Sequence, residues 1–142
     1  MALTLPDVNV LIPAFRRDFV NHLAASAWLT SVISGDRYAM SPQVLASVIR
    51  ITTNRRAFAN ADRIEDALGF AEALLNQPNC EVILPGPRHW DIYVDLCRRS
   101  KARGNVTQDG WFAALAIESG CEWITLDRDY AKFPGLRWRT PF

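Results

Sequence analysis

The sequence predicts an α/β fold, a three-layer α/β/α sandwich around a mainly parallel central sheet, in one domain spanning residues 1–142. Three observations predict it. Short apolar runs of strand length alternate along the whole chain with longer segments of helical period. Helix punctuation is explicit at Ser41-Pro42, an N-cap followed by Pro in the first turn, and at Gly120, a stop after an apolar helix. Apolar runs near both ends of the chain finish on an acid, Asp7 and Asp127. Alternating strands and helices favour a parallel sheet with helices on both faces.

The elements follow in order. Leu3 to Ile12 reads as the first strand, with Pro6 near its end and Asp7 and Asn9 alternating with Val8 and Val10. Taken alone, Asp7 and Asn9 also suit an Asx turn. Phe19 to Ser34 reads as a helix with Leu23, Ala27 and Trp28 on its apolar face and Gly35 as its stop. His22, on that helix, has no partner at ligand spacing and reads as structural. Tyr38 to Met40 is a short strand, and Pro42 to Thr53 a helix with Val44, Leu45, Val48, Ile49 and Ile51 inward and Gln43, Ser47 and Arg50 along one polar stripe.

Asn54 to Asn60 is a basic loop. Ala61 to Asn76 is a helix with Ile64, Leu68, Ala71 and Leu75 at helical period, and Glu81 to Leu84 is a strand broken by Pro85-Gly-Pro87. His89 to Ser100 is a helix with Trp90, Tyr93, Val94 and Cys97 inward. It ends in Arg98, Arg99, Lys101 and Arg103, cations that a helix C-terminus attracts in any case. The next helix is apolar almost all round, as a buried helix should be, with Asp109 expected in its first turn. Cys121 to Leu126 is a strand, and Leu136 to Arg139 an edge strand.

Composition bounds the function. Length and a 49% hydrophobic content suffice for one real core. A net charge of +1 conceals a bias: of 16 basic residues, only Lys101 and Lys132 are not Arg, which is compatible with phosphate contacts and equally with surface ion pairs. Cys80, Cys97 and Cys121 form no CxxC, which fits free thiols in a reducing cytoplasm. No leader-like segment or 18-residue apolar run suggests secretion or a membrane span.

Asp7, Asp109 and Asp127 sit at element ends that face one crevice in an open α/β sheet. Three close carboxylates repel, and a divalent cation relieves that repulsion. Oxygen donors without His or Cys select Mg²⁺ or Mn²⁺. Such a centre polarises phosphoryl oxygens and activates water, which favours phosphodiester hydrolysis, with Asp127 positioning or deprotonating the water. Arg50, Arg128 and the Arg98, Arg99, Arg103 cluster are candidate phosphate contacts.

Four stretches resemble the PIN domains, and among them the VapC ribonuclease toxins: Pro6-Asp-Val-Asn-Val-Leu11, Asn105-Val-Thr-Gln-Asp-Gly-Trp-Phe-Ala-Ala-Leu-Ala116, Thr125-Leu-Asp-Arg-Asp-Tyr-Ala-Lys-Phe133 and Thr140-Pro-Phe142. The resemblance spans nearly the full length. It implies a Mg²⁺-dependent endoribonuclease, RNA as substrate, a cognate VapB-like antitoxin and a homodimer. By position, Asp7, Asp109 and Asp127 match the family's acids, Asp7 and Asp109 would hold the ion, Asp129 is an auxiliary, and Asn9 and Thr125 match hydrogen-bonding positions. Many PIN domains carry a Glu where this chain has Ser47, and no acid lies between Asp36 and Asp62 to replace it. Ser47 is therefore expected to act through water. Phe19, Trp28, Phe58 and Trp90 are candidates for an apolar antitoxin groove, or for core or dimer contacts.

The rivals are weaker. A phosphoacceptor receiver needs an acidic pair after its first strand and a Lys at a late strand end, and P-loop or dinucleotide folds need Gly-rich motifs; none is present. The alternative from another class is a non-catalytic PIN-like module that binds RNA or protein.

Overall fold

The computed structural model describes residues 2–142. The elements are β1 (Thr4–Pro6), α1 (Val8–Phe15), α2 (His22–Ile33), β2 (Tyr38–Met40), α3 (Pro42–Thr52), α4 (Ile64–Leu75), β3 (Cys80–Val82), α5 (His89–Ser100), α6 (Asn105–Ser119), β4 (Glu122–Ile124), a 3-10 turn (Arg128–Lys132) and β5 (Trp138–Arg139). The strands form two parallel ladders, β1-β4-β5 and β2-β3, which meet where β1 lies beside β2. Leu5 pairs with Trp123, Ala39 with Glu81, and Ile124 with Arg139. The main helix contacts fall into two groups, α1 with α2 and α3 plus α3 with α4, and α5 with α6.

The first strand is shorter than its sequence suggests. It stops at Pro6, and Val8–Phe15 is helical. Asp7 makes the junction: its N–H donates to the Ile124 carbonyl (2.8 Å) as the last strand bond, while its own carbonyl accepts from Val10 and Leu11 (3.1 and 3.2 Å). The β-branched run after Asp7 has strand propensity, but Asp7 caps a helix whose residues Val10 to Ala14 are all buried, and packing overrides propensity.

The α2 helix starts at His22, and it buries Ala25 and Leu29 rather than Leu23 and Ala27. It is apolar on several faces, so what packs against it selects the inner one. Leu23 is 82% exposed. His22 is structural, its Nδ1 within 2.7 Å of the Pro13 carbonyl. Likewise α4 buries Ala67, Ala71 and Leu74 and leaves Ile64 exposed, and α5 buries His89 and Leu96 and turns Trp90 outward.

The helix after Ser41 forms as its sequence dictates, with the Ser41 hydroxyl accepting from Val44 N–H (3.2 Å) and Pro42 in the first turn. Gly120 ends α6 with φ of 71°, a left-handed conformation that glycine adopts without a Cβ penalty. Because α6 begins at Asn105, Asp109 lies beyond its first turn. Ala113, Ala114, Leu115 and Ala116 on α6 are buried, and Phe112 stacks 5.6 Å from the fully buried Trp123 of β4.

Candidate active site

The C-terminal ends of β1 and β4 lie side by side, and the chain leaves both through polar residues. After β1 come Asp7 and Asn9; after β4 come Thr125 and Asp127. The Thr125 hydroxyl is their hub. Fully buried, it donates to Asp7 Oδ2 (2.8 Å) and accepts from Asn9 Nδ2 (3.1 Å) and from the Asp127 N–H (3.0 Å). Asn9 Oδ1 accepts from the Leu126 N–H (3.0 Å), which ties the turn after β4 to α1. Asp7 Oδ1 accepts from Val8 N–H (2.6 Å). Asp127 in turn caps the 3-10 segment, accepting from Asp129 N–H (2.9 Å).

Asp109 reaches this cluster from α6 and accepts from the Tyr130 hydroxyl (3.3 Å). Burial, and then the charges of Asp7 and Asp109, raise the phenol's pKa, so Tyr130 stays a neutral donor.

The electrostatics are those of a site short of positive charge. Asp7 is 5% exposed, and burial raises its pKa from 3.8 to about 7. The Thr125 and Val8 hydrogen bonds oppose the rise, while the charges of Asp109 and Asp127 add to it. Asp109 is raised as well, first by burial and further by Asp127, against the Tyr130 bond. No salt bridge reaches Asp7, Asp109 or Asp127 among the described residues.

The three carboxylates share a cavity of about 470 Å³ with Asn9, Ser47, Arg50 and Tyr130. Asn105 and Gln108 from the start of α6 also line it, as do Ile12, Phe19, Ile51 and Phe58. Ser47 and Arg50 thus share one stripe of α3 facing the cavity, while Gln43 accepts from Trp111 Nε1 (2.5 Å). Asp129 is exposed and hydrogen-bonds to the cluster only through its backbone, while its charge adds to the rise at Asp109. Arg128, Arg98, Arg99 and Arg103 are exposed and do not line the cavity, and Arg99 pairs with Asp95 (3.7 Å) on its own helix.

Tyr130, Asn105 and Gln108 are cavity residues that the sequence did not single out. A position one to four residues from an acid gives no sign of facing the site until the 3-10 turn and the start of α6 are formed.

The donors suit a small divalent cation: carboxylates, an amide and hydroxyls, with no His or Cys in the lining. Among the described residues, no three His, Cys, Asp or Glu side chains converge into a ready-made ligand group.

Residues 4–136 match the PIN domain family. The chain belongs to that family. VapC relatives make the branch plain. Ribonuclease VapC25 of Mycobacterium tuberculosis is 38% identical over 96% of this chain and 97% of its own length. Ribonuclease VapC31 of the same species is 36% identical over 96% and 97%. Among solved structures, VapBC2 from Rickettsia felis, bound to a promoter DNA fragment, shares the fold with a TM-score of 0.72 at 16% identity, over 97% of this chain and 98% of that one. Mycobacterium tuberculosis VapC20, described as a sarcin-ricin loop cleaving toxin, superposes with a TM-score of 0.64 at 16% identity, over 94% and 98%. In this PIN domain, Ser47 lines the cavity from α3.

Proposed function

We propose that this PIN domain is an endoribonuclease toxin that hydrolyses RNA phosphodiester bonds with Mg²⁺ and is neutralised by a VapB-like antitoxin. The observation that carries the reading is the shared cavity of Asp7, Asp109 and Asp127, drawn from distant parts of the chain, in a close relative of named VapC ribonucleases.

Asp7 and Asp109 would hold the ion through their carboxylate oxygens, the donor type that suits Mg²⁺. The chemistry such an ion would supply is relief of the carboxylate repulsion and polarisation of a phosphoryl oxygen. The rest is the work of the chain. Thr125 fixes the rotamer of Asp7, and Asn9 fixes Thr125. Tyr130 steadies Asp109. Asp127 orients the attacking water and accepts its proton. Arg50, exposed at the cavity, contacts the phosphate backbone, and Ser47 orients a second water. Mn²⁺ satisfies the same donor chemistry.

Solved structures of the same fold support the partner: they include VapBC2, VapBC-1 of nontypeable Haemophilus influenzae, and a structure described as a toxin–antitoxin complex from Klebsiella pneumoniae. Exposed Val20 and Leu23 provide apolar surface suited to such a partner or to a second copy of the chain.

The test is cleavage of a mixed structured-RNA pool with Mg²⁺, with EDTA, and with the Asp7→Asn variant. Discrete cuts that require both metal and Asp7 are expected. The Ser47 substitution motivates one other reading, a non-catalytic module; RNA binding without cutting under any metal would establish that instead. Ser47→Ala cleaving at the wild-type rate would remove Ser47 from the mechanism.

A further inference from the structure

The carboxylates occupy one part of the cavity, and an apolar surface of Ile12, Phe19, Ile51 and Phe58 forms another. A polyanionic backbone has no use for such a surface, but its bases do. Phe19 and Phe58 are half-buried and meet edge to face, with centroids 6.0 Å apart. They come from the α1–α2 connection and from the turn after α3, segments with no regular structure to hold them.

Arg16 supplies the hold. It is 4% exposed, and its guanidinium carbon sits 3.8 Å from the centroid of Phe58. All five of its N–H donors are engaged. Nε and Nη2 grip both oxygens of Asp18 (3.1 and 2.7 Å). Nη1 donates to Asp62 Oδ2 (2.7 Å) and the Asn60 carbonyl (3.3 Å), and Nη2 also donates to Asn60 Oδ1 (2.9 Å). An arginine so saturated has no donor left for a phosphate. It binds the Asn60–Asp62 segment to the end of α1 and covers part of the Phe58 ring, while Phe58 still lines the cavity.

We infer that Phe58, held by Arg16 and flanked by Phe19, is the base-stacking wall of the active site, receiving one RNA nucleobase beside the scissile phosphate. The inference rests on the ribonuclease reading. It makes Phe58 a substrate-binding residue and Arg16 a positioning residue, whose function is to fix the ring before RNA arrives. A base on a preformed aromatic wall gains without regard to most of its edge chemistry. Arg50, lining the same cavity, is available to the adjoining phosphate.

The test uses RNA oligonucleotides spanning a cleavage site mapped with the full-length wild type. Each nucleotide near the cut is replaced in turn by an abasic one, and binding is measured in the cleavage-silent Asp7→Asn background. One abasic position is expected to weaken binding by about 5- to 150-fold, the range of a single base–aromatic stack. In a Phe58→Leu protein, checked for folding by its melting temperature, that position should cost nothing further, whereas Phe58→Tyr should retain the penalty. Arg16→Lys should raise KM more than it lowers kcat. Abasic tolerance at every position, with wild-type cutting intact, would overturn the wall alone. So would Phe58→Leu weakening antitoxin binding while leaving RNA binding unchanged, since the surface would then belong to the protein partner. If the wild type neither cut nor bound RNA, the ribonuclease reading would fall first and the wall with it.

Discussion

Two strand-to-helix junctions in this fold are built alike and differ in one atom group. Ser41 follows β2, caps α3 and is fully buried; Asp7 follows β1, caps α1 and is nearly so. Both accept from the backbone of the helix they start. Capping needs only an oxygen, and Ser41 shows that a neutral hydroxyl supplies it. Burying a carboxylate at the equivalent place is costly, and the raised pKa of Asp7 records that cost. The charge at β1 is therefore present for something other than the fold, and the junction at β2 is its internal control.

The contrast can be broken most severely at Asp7. Asp7→Asn keeps a capping oxygen and removes the charge; RNA cleavage should drop to background while the metal-free protein becomes more stable at pH 8, by up to about 4 kcal/mol if the full shift is recovered. Thermal melts of both proteins in EDTA check this, and a lower melting point for the variant would sink the argument. The pH dependence follows the same logic. The folded carboxyl titrates near 7 and the unfolded one near 3.8. The contribution of Asp7 to stability is thus fully present below about pH 4 and declines as pH rises to about 7. Denaturant titrations of the metal-free wild type should show that decline, and Asp7→Asn should lack this part of it. Saturating Mg²⁺ should stabilise the wild type and leave the variant unmoved.

Thr125→Val removes the hub and leaves Asp7, Asn9 and the Asp127 N–H short of a partner. A loss of about 2 kcal/mol in stability and of ~10- to 100-fold in activity is expected, read by denaturation and by initial cleavage rates. Ser41→Ala is the mildest test, costing about 1 kcal/mol with cleavage per folded molecule unchanged. A loss of activity there beyond the unfolded fraction would mean that the second junction is functional too.

Local signals were legible in the sequence. Ser41-Pro42 and Gly120 state their boundaries because capping and left-handed turns depend on a few neighbouring residues. Asp7, Asp109 and Asp127 were legible as acids near element ends. The β1–α1 boundary was not, because Val8-Asn9-Val10 has strand propensity and only the packing of the segment into the core selects the helix. The inner faces of α2 and α5 were not, since Leu23 and Trp90 are as apolar as the residues that won the core. The arginines at the end of α5 form a visible charge run, but a run of charge carries no address, and theirs lies away from the cavity. Tyr130 and Phe58 join the site through a 3-10 turn and an arginine clamp, neither of which has a one-dimensional signature.

The Thr125–Asp7 hydrogen bond joins residues 118 positions apart. A ribosome making this chain must therefore produce β4 and the turn after it before the carboxylate at β1 acquires its partner. Until then Asp7 is an ordinary solvated acid on an unfinished sheet. Closing so long a loop is slow and comes late in folding. In an RNA-cutting protein built this way, the site cannot assemble on a ribosome, a machine itself made of RNA, before β4 and the turn after it have been made.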